Sequence, residues 1–201
     1  MVKKNCPICG SPYFTSGITL EADPASTSEW VTTPLQYDGY SVHFSISDGS
    51  NGDLYAGMWV TINPIEVRNF RIADTYAWLK QTSGLHTPYF VFVTDAAPPY
   101  DQFNTDSQLA SGFSSFAKHT PPGVVDEYQI GDGSWKTWAQ IVTAIGTKHI
   151  IGMKISISEV ESESVADVCY IGSPLAISGK VYRIGPNTER VVIEQKKYPN
   201  P

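Results

Sequence analysis

From about Trp30 onward, apolar and polar residues alternate in short runs broken by turn residues, which predicts strands with one buried face. Tyr40–Ser47 puts Val42, Phe44 and Ile46 on one face and Ser41, His43 and Ser45 on the other. It runs into Asp48-Gly49-Ser50-Asn51-Gly52-Asp53, residues that tolerate positive φ or bond their own backbone. Leu54–Ile62 is therefore expected to return as the second arm of a hairpin. Arg71–Leu79 alternates in the same way, and Thr87–Thr94 is a β-branched and aromatic run of the kind buried on both faces. Strands are expected again over His149–Ser158, Val165–Ile171, Leu175–Ile184 and Arg190–Gln195.

One segment changes period. Trp138, Ile141, Val142 and Ile145 follow i, i+3, i+4, i+7 spacing, with Ser134 as the expected N-cap and Gly146 as the stop, which predicts a short helix near 134–146. A single helix cannot supply repeated crossovers between parallel strands. The expected fold is thus all-β, a two-sheet antiparallel β-sandwich of the jelly-roll type. Ala96–Gly123, rich in Pro, Ser, Asp, Asn and Gln, is long for a connection in a compact domain and is the main candidate for a binding loop. Residues 1–29 are read as an N-terminal arm and 30–201 as the sandwich domain.

In the second half a wide-loop strand pair is followed by the helix ending at Gly146, the strand Ile150–Ile157, an acidic loop, and Val165–Gly172 with Asp167 before its apolar end. This order of elements resembles concanavalin-like jelly rolls and carbohydrate-binding modules. The resemblance spans roughly residues 30 to 180 and implies a sandwich that binds glycans.

Composition narrows the classes. The 201 residues suffice for a full core, and 17% charged with 12% aromatic residues suits a strand-rich domain better than a helical bundle or a disordered chain. A net charge of -6, with 14 Lys and Arg scattered along the chain, lacks the basic stripe of a nucleic-acid binder. No window reaches the 18 or so apolar residues of a membrane span, and no signal peptide is visible after Lys3-Lys4, so membrane insertion is not expected.

The chemical candidates are few. Glu159, Glu161 and Glu163 share a face if extended, resembling the acidic strand of jelly-roll glucanases. The simpler reading of Glu159–Glu163 is a solvated acidic loop between two strands, with a surface cation site as another alternative. Cys6-Pro7-Ile8-Cys9-Gly10 resembles one knuckle of a zinc ribbon, so Cys6 and Cys9 are the zinc candidates, although a closed site needs four ligands. The third cysteine, Cys169, leaves an odd count. Calcium is conceivable at Asp48–Asp53, where a hairpin turn accounts equally for each residue. The tryptophans Trp30, Trp59, Trp78, Trp135 and Trp138 are candidates for core positions or for sugar-stacking platforms. The four histidines lie far apart, and no nucleophile elbow accompanies them.

No catalytic constellation stands out, and the expectation is a protein that is not an enzyme. The first reading is a structural subunit of a virion, surface appendage or filament, extracellular or on a virion surface, with itself as partner. It would assemble through the apolar arm, using Tyr13, Phe14, Ile18 and Leu20 to extend a sheet edge. The second reading is a carbohydrate-binding module with glycans as partners. A jelly-roll glycosidase, resting wholly on the three glutamates, is the third.

Overall fold

A computed structural model of the chain describes residues 17–35, 40–46, 54–84, 88–105, 115–121, 127–159, 167–182 and 184–186. In chain order the strands are β1 (Gly17–Ala22), β2 (Ser26–Val31), β3 (Ser41–Ile46), β4 (Leu54–Glu66), β5 (Tyr76–Ser83), β6 (Tyr89–Thr94) and β7 (Gln102–Asn104). They continue as β8 (Ala117–His119), β9 (Tyr128–Ile130), β10 (Trp135–Lys136), β11 (His149–Glu159), β12 (Asp167–Ile177) and β13 (Lys180–Tyr182), with one helix, α1 (Trp138–Ile145), between β10 and β11. Two antiparallel sheets result. One runs β1-β4-β11-β6-β7-β9-β10, and the other β2-β3-β12-β5-β8 with β13 against β12. The fold is an all-β sandwich, as the alternation predicts.

The core forms where the inward residues of the two sheets meet. Val42 and Phe44 from β3, Met58 and Val60 from β4, Phe90 and Phe92 from β6, Met153 and Ile155 from β11 and Ile171 from β12 are all fully buried. Burying this continuous apolar layer is the main driving force for closing the sandwich. The alternation read for Val42, Phe44 and Ile46 holds, since all three are inward.

Several expectations are corrected. β3 and β4 form no hairpin: β3 pairs with β2 and β12, whereas β4 pairs with β1 and β11 in the opposite sheet. Local alternation specifies a buried face but not which sheet supplies the partner. The strand expected over Arg71–Leu79 begins only at Tyr76, because Ile72–Asp74 is a 3-10 turn in which Thr75 N–H donates to the Ile72 carbonyl. That turn is stitched to the β12–β13 hairpin, where Arg71 N–H donates to Ser178 Oγ at 2.9 Å. β2 runs across the boundary drawn at residue 30, and β1 and β2 are strands of the two sheets.

The helix starts later than Ser134. Trp135 and Lys136 pair with β9, so the N-cap falls on Thr137, whose side chain and that of Gln140 form a reciprocal capping box. Ile141 and Ile145 are buried as the spacing predicts, and Trp138 packs on Phe70, Phe103 and Tyr128.

His119 lies inside the sandwich, 7% exposed, with its ring stacked on Phe90 at 5.5 Å. Burial pushes its pKa down to about 4, below the ordinary 6.5. The unfolded chain therefore binds more protons between pH 4 and 6.5, so stability is full above pH 6.5 and falls on acidification toward pH 4. A shift of this size corresponds to about 3 kcal/mol. Urea unfolding from pH 7 to pH 4 is expected to show this loss, and His119→Leu to flatten it in that window; an unchanged profile in the variant would place the proton uptake elsewhere.

Candidate functional site

The outer face of the seven-stranded sheet is where the inward pattern leaves alternate residues free. On β6, Phe90 and Phe92 point into the core, so Tyr89, Val91 and Val93 point out and are half-buried. The expectation that this run is buried on both faces is thus corrected, because no layer among the described residues covers the second face.

Strand register lines up the outward residues in rows crossing the strands. One row reads Thr19, Trp59, Lys154, Val91, Asn104, Gln129 and Trp135, from β1 through to β10. Beside it run Glu21, Gly57, Ser156 and Tyr89 on one flank, and Gly17, Thr61, Gly152, Val93 and Gln102 on the other. Two indoles share that row, Trp59 one strand in from the β1 edge and Trp135 at the β10 edge.

Toward the β10 end the face hollows into an open groove of about 410 Å³, lined by Tyr89, Val91, Gln102, Asn104, Thr105, Gln129, Trp135, Lys154, Ser156 and Ser158. Three amides and four hydroxyls supply donors and acceptors of both kinds. Trp135, at 37% exposed, is one of the two exposed large apolar side chains among the described residues. Its position is set by a tight β9–β10 hairpin, in which Gly133 at φ +81° adopts a conformation that favours glycine and Asp132 Oδ1 accepts from Ser134 N–H at 2.9 Å. Thr105 is fixed as well, its hydroxyl accepting from Phe90 N–H at 2.9 Å. Ser156 Oγ is buried at the groove with no hydrogen-bond partner among the described residues.

Lys154 is the one charged residue of that lining, and its charge is turned aside. Its stem passes over Gly57, where an added Cβ would sit 2.8 Å from Lys154 Cε. The ammonium lies 4.2 Å from the centroid of the Tyr55 ring and 3.3 Å from Glu21 Oε2. The groove beyond it is electrically close to neutral.

The residues singled out by sequence fare unevenly. Ile18 and Leu20 are in β1, half-buried against the core, and β1 pairs along its whole length with β4 of the same chain. Glu159 ends β11. Cys6, Cys9, Tyr13, Phe14, Glu161, Glu163 and the Asp48–Asp53 turn lie outside the described residues. Among the described residues no three His, Cys, Asp or Glu side chains are grouped to hold a metal ion. His43 bonds Glu29 at 3.0 Å on the other sheet, His149 bonds Asp95 at 2.9 Å at the start of β11, and His119 is in the core, so the three do not converge. Of the tryptophans, Trp30 and Trp138 pack against the core, whereas Trp59 and Trp135 share the outer face. Of the 96–123 segment, Gln102, Asn104 and Thr105 reach the groove. Gln129, Ser156 and Ser158 were not anticipated; the polar alternation Ser156, Ser158 within β11 was the available signal.

No family model, curated protein or solved structure matches this chain.

Proposed function

We propose that the protein binds carbohydrate, with the groove on the outer face of the seven-stranded sheet as its site. The observation that carries this reading is the run Asn104, Gln129, Trp135 along one row of an open sheet face. A sugar ring offers a belt of hydroxyls around apolar C–H faces, so its recognition calls for donors and acceptors beside an exposed indole. The amides of Gln102, Asn104 and Gln129 meet the first need and Trp135 the second. None of the ten lining residues is an aspartate or glutamate, so the carboxylate pair that glycoside hydrolysis requires is not part of this lining, which favours binding over cleavage.

The test is affinity electrophoresis or a pull-down of the full chain against glucans, xylan, mannan and polygalacturonate. Retention by at least one polysaccharide, reduced in an Asn104→Ala, Gln129→Ala double variant that keeps its thermal midpoint, is expected. Retention by none would end the reading.

A second reading, the self-assembling subunit, is favoured by the position of β1 and β2 as the outermost strands of their sheets, since such edges accept a further strand. Light scattering at rising protein concentration separates it from the first.

A further inference from the structure

Resting on the glycan-binding reading, we propose that Trp59 is a second stacking platform and that the ligand is a neutral, extended polysaccharide chain bound across the strands, rather than a terminal sugar. Trp59 and Lys154 face each other in register on β4 and β11, and each leans over a glycine of the opposite strand. Lys154 covers Gly57. Trp59 covers Gly152, where an added Cβ would lie 2.5 Å from Cζ2 and 2.8 Å from Cη2 of the indole. Only the absence of a side chain at 152 lets the ring settle there. Its Nε1–H donates to Thr61 Oγ1 at 3.1 Å, which fixes the rotamer. The ring is half-buried and rests on β11 at Gly152, so the part left exposed is a stacking surface held in place before binding.

Between the two indoles the face is built for a chain. Val93 and Val91 follow Gly152 and Lys154 on β6, giving an apolar floor, and then come the amides of Gln102, Asn104 and Gln129 before Trp135. From β11, where the Trp59 ring lies, to β10 is four strand steps in the sheet order, about 19 Å at normal strand spacing. That span exceeds one sugar and suits an oligosaccharide. The groove is open and ends at Lys154, with Trp59 next to it on the same row. Charge selects against acidic polymers: the Lys154 ammonium is held by Glu21 and Tyr55, and the chain carries a net charge of -6.

Calorimetry on the full chain tests this with an oligosaccharide ladder from the neutral polysaccharide that binds best, beginning at the disaccharide. Affinity is expected to rise with chain length until both platforms are spanned. Trp59→Ala should remove that gain, about tenfold on the longest member, while leaving disaccharide affinity unchanged. Gly152→Ala should displace the indole and reproduce the same pattern; if it fails to fold, Trp59→Ala carries the test. Equal affinity for short and long members, or full length dependence in Trp59→Ala, would overturn the second platform while the glycan reading stood. Binding of polygalacturonate in preference to every neutral polymer would overturn the neutral-ligand assignment. No binding by any polymer would overturn the underlying reading.

Discussion

Trp135→Ala is expected to weaken polysaccharide binding on the order of thirtyfold at every ligand length, because an anchoring tryptophan typically contributes about 2 kcal/mol or more and 1.4 kcal/mol is tenfold. Trp135 is partly exposed on a two-residue strand at the sheet edge, so its removal opens no cavity in the core. Thermal stability should change by less than about 1 kcal/mol, the range for positions outside the core. Trp135→Phe, which keeps an aromatic face, should recover part of the affinity. Isothermal titration with the best polysaccharide checks the two affinities, and thermal unfolding of the variant checks its stability. Full affinity in Trp135→Ala would remove the indole from the site, and a collapse in stability would mean that it serves the fold instead.

Phe92→Ala should produce the largest loss of stability in the molecule, about 3–5 kcal/mol. The ring is fully buried at the midpoint of β6, stacked on Phe103 at 5.2 Å and edge-on to Phe70 at 5.6 Å and Tyr128 at 6.4 Å. Those neighbours come from separate elements, so the space left by the ring cannot be refilled by one of them without breaking contacts to the rest. With a domain stability of about 5–15 kcal/mol, a loss of this size brings the protein near unfolding at ambient temperature. Urea denaturation is the measurement: the midpoint should drop with the slope unchanged, and Phe92→Leu should recover part of it. A cost below about 1 kcal/mol would mean that the aromatic cluster is not the centre of the core.

What could be read from the sequence was the local geometry. Val42, Phe44 and Ile46 alternate with polar residues, and they are inward; Trp138, Ile141, Val142 and Ile145 follow helical spacing, and they form the helix face against the core. These patterns are legible because the side-chain period of a strand or helix is fixed by its own backbone. The helix start was misplaced since Ser134 and Thr137 are both good caps, and only the pairing of Trp135 with Gln129 excludes the first.

The site was legible only in fragments, as five tryptophans and a long polar segment. Nothing within Tyr89–Thr94 distinguishes a strand covered on both sides from one covered on a single side, because Val91 and Val93 are as apolar as buried neighbours would be. Nothing local predicts that Trp59 would lean over Gly152, which is distant in sequence, or that β4 and β10 would stand in the same sheet with five steps between them. The pattern along the chain determined the inward residues of the plainly alternating strands, such as Val42, Phe44 and Ile46 of β3, and with them that a two-layer all-β core forms. Which strands are neighbours, which sheet face stays open and which rings share a row were decided by the tertiary structure, because pairing is made by backbone hydrogen bonds that carry no residue-specific label, and register is chosen by the packing of the whole core.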